Sequence, residues 1–300
     1  MKRILIIAIL ILTSNFAFAG KVLTVVTSTT DFADLAKAVG GDLVNVQSLT
    51  KGNADLHSIE PRPSMVMSVR NADLVIRIGM DLDMWALSLI DASKNSRVLV
   101  GGPGNLDASE RIEKMEVPVG KVDMGMGDVH IYGNPHYWTD PENGIIVAGE
   151  IRDRLSQMVP DSKDYFASNC DALVARISNA MLQSEELLKP YAGTKIVTYH
   201  RSLPYFAKRF GLVVLDTLEP KPAVPPTPSH LLELEAKIKT EHAKIILQEP
   251  WFSMDAANSV SRNTGIKVLV IASSVGGLPE IKHYEDIFLY DAAKLAELLK

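Results

Sequence analysis

The chain has 300 residues, of which 47% are hydrophobic, and its formal net charge at pH 7 is −5. A negative balance disfavours nucleic acid and anionic membrane surfaces as partners. One hydrophobic core rarely organises more than about 250 to 300 residues, so we expect two domains. Cys170 is the only cysteine. It therefore has no partner for an internal disulfide, and we expect it to be a small buried apolar residue.

The first nineteen residues have the pattern of a secretory signal peptide. Lys2 and Arg3 form a positive region, residues 4–12 are apolar, and Ala17-Phe18-Ala19 is an A-x-A cleavage site. We expect cleavage after Ala19, which removes two positive charges and takes the net charge from −5 to −7. No cysteine lies directly after the apolar run, and this argues against a lipid anchor at the cleaved N-terminus. The expected product is a free protein in a bacterial periplasm.

The first half of the chain alternates apolar strands with helical patterns, which predicts a parallel sheet with helices on both faces. Ser64 is the predicted N-cap of the second helix. The predicted strands are residues 22–27, 43–49, 74–78 and 98–100, and the predicted helices are residues 32–39 and 65–71 and a third that begins at 83–85.

Residues 101–133 are predicted to be a long, Gly-rich and irregular loop. The loop contains a Gly-x-Gly sequence at residues 125–127. This sequence lacks the third glycine and the preceding strand that a dinucleotide-binding site needs, so we reject a dinucleotide site here. His130 lies in this loop. It could capture metal for a neighbouring site, but we expect it to be a solvated loop residue.

Two helices are predicted after Pro141, and the second, residues 161–188, carries an apolar stripe on one face. At 1.5 Å per residue it would run on the order of 40 Å, long enough to brace two lobes. The stripe is predicted to consist of Phe166, Cys170, Leu173, Ile177, Ala180 and Leu187.

The strand and helix alternation then restarts. The predicted strands are residues 195–199, 213–215, 244–248 and 267–271, and the predicted helices are 202–210, 231–240, 255–263 and 284–299. We therefore predict an α/β fold of two lobes, each with a small parallel sheet flanked by helices, joined by one long rigid helix. The expected divisions are an N-terminal lobe at 20–142, a helical connection at 143–190 and a C-terminal lobe at 191–300.

Three histidines occupy equivalent positions in this scheme. His57 and His136 lie in stiff loops of the first lobe, with Pro135 directly before His136, and His200 directly follows an apolar strand of the second lobe. Ligand residues of open α/β sheets collect beyond the carboxyl ends of strands, so the three could meet in a cleft between the lobes. Three imidazoles with one oxygen donor suit zinc, although structural histidines remain the alternative.

Four stretches, taken together, resemble the motifs of a known family. They resemble, in order, motifs of the zinc- and manganese-specific substrate-binding proteins of bacterial ABC transporters, a family that includes metal-binding lipoproteins and adhesins. The stretches are residues 55–63 (DLHSIEPRP), 133–141 (GNPHYWTDP), 199–212 (YHRSLPYFAKRFGL) and 248–252 (QEPWF).

The resemblance implies a metal site between the lobes with His57, His136 and His200 as ligands. A histidine at the third position is typical of the zinc-specific branch, so it implies Zn²⁺ as the transported ion, with Mn²⁺ less favoured. The implied partners are an ABC permease and its ATPase, and the protein is expected to be a monomer without enzymatic activity. A manganese- or iron-binding homologue remains the nearest alternative.

The fourth ligand is the point at which the sequence departs from the family pattern. Relatives usually have an aspartate shortly after the last strand, and residues 271–277 contain no acid. Glu249, which closes the preceding strand, is our candidate metal ligand, and water is the alternative. Glu249 could instead hydrogen-bond a loop or a ligand histidine.

Two other classes of protein could carry such residues. A secreted zinc hydrolase also uses three histidines, an open position and a nearby glutamate, but the chain has no His-Glu-x-x-His helix. A surface adhesin on the same scaffold would more naturally carry a lipid anchor. We expect His230, His242 and His283 to lie at the surface, and Trp138 and Trp251 to lie near the cleft.

Overall fold

A computed structural model describes residues 22–120, 122, 129–221 and 223–300. The predicted signal peptide and the two glycines of the rejected dinucleotide motif lie outside the described residues. Among the described helices, none is long and apolar enough to cross a membrane.

Two four-stranded sheets form the framework, and every strand pair within them is parallel. The first sheet has the order β2-β1-β3-β4 and the second has the same pattern, β6-β5-β7-β8. The prediction of two small parallel sheets is confirmed. The strands are β1 Leu23–Thr27, β2 Val44–Ser48, β3 Leu74–Arg77, β4 Asn105–Asp107, β5 Lys195–Thr198, β6 Val213–Thr217, β7 Ile245–Gln248 and β8 Lys267–Val270.

Helices flank both sheets, as parallel strands require crossover connections. The described helices are α1 Thr30–Gly40, α2 Pro63–Arg70, α3 Met84–Ser93, α4 Pro141–Met158, α5 Lys163–Leu188, α6 Pro204–Phe210, α7 Pro228–Glu241, α8 Met254–Thr264 and α9 Tyr284–Leu299.

The predicted strand at 98–100 is wrong. Ser96–Val98 is a 3-10 turn, and the fourth strand is Asn105–Asp107, inside the stretch predicted to be irregular. This strand contains one apolar side chain, Leu106. Polar contacts hold it in place, and a pattern of apolar residues along the sequence does not reveal such contacts. The Asn105 amide donates to the carbonyl of Val98 at 2.8 Å and accepts from the Arg77 guanidinium at 3.3 Å.

Ser64 is not an N-cap. Helix α2 begins at Pro63, two residues before the predicted start at Met65, and Arg62 occupies the cap position without a side-chain hydrogen bond. Proline suits the first helical position because its fixed φ matches the helix and its missing N–H would have had no partner there.

The long helix α5 has 26 residues, and 3-10 turns at Pro160–Ser162 and Lys189–Tyr191 continue it at both ends. It packs against α4, α9 and α1. Its buried face contains Phe166, Cys170, Leu173, Ile177, Ala180, Ser184 and Leu188.

Leu187 was predicted on this face but is 42% exposed, whereas Leu188 is fully buried. An α-helix falls about 20° behind a seven-residue repeat in each repeat. Leu187 lies three such repeats after Phe166 and has therefore rotated out of the stripe. Leu188 follows the stripe along the i+4 row.

One apolar core joins the two halves. A continuous cluster of buried side chains runs from Val25 in the first sheet through Ile151 and Ile177 of α4 and α5 to Leu247 in the second sheet. The lobe boundaries given above stay a prediction, but the shared core fixes the two sheets relative to each other.

Hydrogen bonds also join the two halves of the chain, in addition to the shared apolar core. The Thr30 hydroxyl donates to the carbonyl of Val275 at 2.7 Å, and the Val275 amide donates to the Asp31 carboxylate at 2.8 Å. The Trp138 indole donates to the carbonyl of Ser273 at 3.0 Å. The loop after β8 is therefore held by residues from the first half of the chain.

Candidate metal centre

His57 lies in a 3-10 turn, Leu56–Ser58, in the loop that follows β2. The carboxylate of Asp55 forms this turn by accepting from the His57 amide at 3.0 Å and from the Ser58 hydroxyl at 3.0 Å. The Trp85 indole donates to the carbonyl of Leu56 at 3.1 Å. An aspartate two residues before the histidine thus sets the backbone from which the imidazole projects.

His136 lies in the segment between β4 and α4, and its side chain is buried. The amide oxygen of Asn134 accepts from both the His136 backbone N–H and ring Nδ1, each at 3.0 Å. Because Nδ1 donates, Nε2 keeps its lone pair for a metal. The Asn134 NH₂ group donates to the carbonyl of Arg201 at 2.8 Å, which links this segment to the second lobe.

His200 lies two residues beyond β5 and is also buried. Its Nδ1 is 2.7 Å from the carboxylate of Glu219, and the two side chains are 8% and 9% exposed. Glu219 follows β6, the neighbour of β5, so the two residues meet at the carboxyl edge of the second sheet. The carboxylate fixes the ring and leaves Nε2 facing the cleft.

The structure brings the three predicted histidines together. Their ligand atoms all lie within 4.8 Å of one another, and ring centroids are 5.4 Å (His57 and His136), 4.9 Å (His57 and His200) and 5.2 Å (His136 and His200) apart. The Nε2 atoms of His57 and His136 are 3.3 Å apart. Zinc–nitrogen bonds of 2.0 to 2.1 Å give a tetrahedral edge of about 3.3 to 3.4 Å, so this pair already has the spacing of ligands.

Protonation differs between the buried histidines. Burial lowers the pKa of His136 well below 6.5, with the neighbouring histidines adding to the effect, so this imidazole is neutral and ready to bind a cation. Burial also lowers the pKa of His200, but the hydrogen bond and charge of Glu219 outweigh burial and raise it above 6.5. Of these two, His200 is therefore the histidine at which protons compete first with metal.

Glu249 lies on the inner side of the cluster. It is 1% exposed, one carboxylate oxygen accepts from the Ser202 hydroxyl, and the other has no hydrogen-bond partner among the described residues. Burial raises the pKa of Glu249. With the three histidines, Trp138, Trp251 and Ser273 it lines a cavity of about 20 Å³. That is room for one ion or one water, since a water needs roughly 10 to 15 Å³ measured this way.

The ligand group that meets the 4.8 Å criterion consists of the three histidines alone, within the described part of the chain. Glu249 borders the same cavity, and its direct bond to metal stays a prediction. The two tryptophans lie beside the site as expected, with the Trp138 ring 5.4 Å from that of His136.

His130 is not the solvated loop residue that the sequence suggested. Its side chain is 11% exposed, and its Nδ1 pairs with the carboxylate of Asp81. Its ring is 5.2 Å from that of His57. Of the other histidines, His242 and His283 are exposed as predicted, while His230 is half-buried.

Sequence reasoning missed Glu219, Asn134 and Asp81. Each hydrogen-bonds Nδ1 of a histidine, at separations of 19, 2 and 49 residues respectively. Glu219 had a usable signal, because an acid just beyond a strand lies beside the residue that ends the neighbouring parallel strand.

The chain is similar to known proteins over most of its length. The family model described as ZnuA, zinc-uptake complex component A, periplasmic, matches residues 25–298. The zinc-binding lipoprotein AdcA of Streptococcus pneumoniae is 27% identical over 263 residues, which are 87% of this chain and 52% of that protein. The chain thus spans about half the length of that relative.

Two further relatives cover nearly all of both chains. The manganese ABC transporter substrate-binding lipoprotein PsaA of Streptococcus mitis is 25% identical over 290 residues, 94% of this chain and 90% of that protein. The laminin-binding adhesin Lmb of Streptococcus agalactiae, in a mutant structure, superposes with a TM-score of 0.79 at 26% identity, covering 93% of this chain and all of that one.

Proposed function

This chain belongs to the ZnuA family of periplasmic zinc-uptake components, and on that premise we propose that it binds Zn²⁺ between its lobes and delivers it to an ABC permease. The observation that carries the proposal is the cluster of His57, His136 and His200, whose ligand atoms lie within 4.8 Å of one another. Two of these histidines come from the first half of the chain and one from the second. An ion bound to all three would therefore join the lobes.

The selection of the ion follows from the donor set. Neutral imidazole nitrogens are poor ligands for Ca²⁺ and Mg²⁺, which prefer oxygen, and they favour zinc over manganese. The buried His136 is neutral, which suits this chemistry. Manganese remains the second candidate because one relative is named as a manganese ABC transporter substrate-binding lipoprotein.

Glu249 is the proposed fourth residue of the site. Its buried carboxylate supplies negative charge beside a dication, and it faces the same cavity as the histidines. The raised pKa that burial gives Glu249 in the metal-free protein would fall once a dication binds beside it. One uncommitted carboxylate oxygen is available to the ion.

We infer that the site binds without catalysis. The matching family model is described as a zinc-uptake component, and the relative PsaA is named as a substrate-binding lipoprotein of a transporter, which is a binding role. We propose that the protein acts in the periplasm as a monomer after removal of residues 1–19, with a permease and its ATPase as partners. The proposed cleavage after Ala19 concerns residues outside the described part of the chain.

Competition between metals tests the proposal. Protein purified without added metal should contain one zinc per chain by elemental analysis, and zinc should displace manganese in an equilibrium titration. His136→Ala should abolish most zinc binding, while His242→Asn, an exposed histidine in a left-handed turn that asparagine tolerates, should not change it. Equal binding by both variants would contradict the proposed site.

A second comparison tests Glu249. Glu249→Gln removes the charge at nearly constant volume, whereas Ser273→Ala removes a hydroxyl from the same cavity. If a Glu249 oxygen binds the ion, zinc affinity should fall by roughly 10- to 100-fold in the first variant and by far less in the second. Equal and negligible losses would leave water as the oxygen donor.

A further inference from the structure

Two cavities meet at His136 and His200. The inner one contains His57 and Glu249, and the outer one, of about 290 Å³, lies toward solvent. Residues that line the outer cavity include Glu116, His130, Asn134 and Arg201. The outer side of the histidine cluster therefore has its own candidate donor, His130, opposite Glu249.

His130 is held as a ligand would be held. Its Nδ1 pairs with the Asp81 carboxylate, and its Nε2 is buried without a hydrogen-bond partner among the described residues. A buried imidazole nitrogen without a partner costs free energy unless something binds it. A metal ion at the neighbouring cluster would satisfy this atom.

The same pattern fixes two of the proposed ligands. Nδ1 of His136 donates to Asn134, Nδ1 of His200 is bound by Glu219, and in each case Nε2 is left for the ion. Metal-binding histidines characteristically donate their second ring nitrogen to a carboxylate or amide oxygen. The pair of His130 and Asp81 repeats the arrangement of His200 and Glu219.

The position of the ring is also close to that of a ligand. The His130 centroid is 5.2 Å from that of His57, within the 4.9 to 5.4 Å range found among the three clustered histidines. It is 6.4 Å from His136, which is 1.0 Å more than the 5.4 Å between His57 and His136. A shift of about this size would place His130 at ligand spacing from both.

Asp81 is anchored for this task. Its second carboxylate oxygen accepts from the Ile131 amide at 3.1 Å, so the aspartate holds both the ring and the backbone next to it. Asp81 has a left-handed φ of 58°, and the preceding Met80 one of 48°. Such backbone is uncommon outside glycine and is retained where surrounding structure requires it.

We propose that Nε2 of His130 binds the same ion as His57, His136 and His200, with Asp81 as its positioning residue. The inference rests on the proposed function and deepens it, because it names the donor set that selects the metal. Four imidazoles favour zinc over manganese more strongly than three imidazoles and a carboxylate. The ion would be tetrahedral with these four nitrogens, or five-coordinate if Glu249 also binds.

Nuclear magnetic resonance can count the ligands directly. Protein labelled with ¹⁵N at histidine and loaded with one equivalent of ¹¹³Cd²⁺ should show metal coupling to the Nε2 of four side chains, including His130. Coupling to His57, His136 and His200 alone would overturn the inference and leave the proposed function intact. Coupling to none of these would contradict the proposed function itself.

Affinity measurements supply an independent test. His130→Ala should weaken zinc binding at least about 10-fold, and Asp81→Asn, which tolerates the left-handed backbone, should weaken it by roughly 10- to 100-fold. The zinc preference over manganese should shrink in both. The control His242→Asn should match wild type. Unchanged zinc affinity in His130→Ala, with a metal-free melting temperature equal to wild type, would refute the assignment.

Discussion

The pairing of Glu219 with His200 predicts an effect on zinc affinity whose size depends on pH. Replacing Glu219 by glutamine keeps an acceptor beside Nδ1 but removes the negative charge, in a contact of 2.7 Å between side chains that are 8% and 9% exposed. Loss of such an outer carboxylate typically costs 10- to 100-fold in metal affinity, or about 1.4 to 2.8 kcal/mol. At pH 8 we expect a loss of that size.

The loss should shrink as the solution becomes acidic. Glu219 raises the pKa of His200, so wild-type protein starts to lose zinc to protons at a higher pH than the variant does. Below its pKa, the histidine must release a proton to bind metal, and each further pH unit costs about tenfold in affinity. Glu219→Gln lowers that pKa and therefore delays the loss, so the two affinity curves converge at low pH.

The assay is a zinc titration against a competing chelator at half-unit steps from pH 8 to pH 5.5. Glu186→Gln is the matched control, since Glu186 is 77% exposed and contacts a surface lysine, and its curve should coincide with wild type. Equal affinity of wild type and Glu219→Gln at pH 8, or a difference that widens on acidification, would refute the reasoning.

Two stability predictions follow from the fold. Phe166→Ala empties a fully buried position of α5 and should lower the free energy of unfolding by about 3 to 5 kcal/mol. Leu187→Ala, on the exposed side of the same helix, should change it by less than about 0.5 kcal/mol. Similar losses for the two variants in denaturant titrations would contradict the buried stripe as described. Burial raises the pKa of Asp291 to about 7 from an ordinary 3.8, so its contribution to stability is complete below about pH 4 and is lost as the pH rises through 7. Asp291→Asn keeps the acceptor for the Ala272 amide. The free energy of unfolding that this variant loses relative to wild type should fall between pH 4.5 and pH 7.5, by up to about 1.4 kcal/mol per pH unit. A loss that does not change with pH would contradict this prediction.

The elements that the sequence predicted well are those with a strong local pattern. Helix 284–299 has the predicted bounds, and seven of the eight strands fall where apolar runs predicted them. The strand Asn105–Asp107 was missed because its pairing depends on Asn105, which bonds Arg77 and Val98, and not on a run of apolar side chains. Leu187 was misplaced because a seven-residue repeat drifts on a 3.6-residue helix.

The same distinction applies to the site. The motifs identified His57, His136 and His200, and the topology brought them together. The groups that orient the rings were not identified, because Asp81 lies 49 residues from the histidine it holds and Glu219 lies 19 residues from His200. Such pairings arise from strand order and loop paths, which spacing along the chain does not encode.

The central claim is that one zinc ion is held by histidines from both lobes. The most direct measurement is an anomalous difference map at the zinc absorption edge, from crystals of the protein with one equivalent of zinc. A single peak is expected about 2.0 to 2.1 Å from Nε2 of His57, His136 and His200. A peak at any other position, or zinc bound by residues of only one lobe, would contradict it.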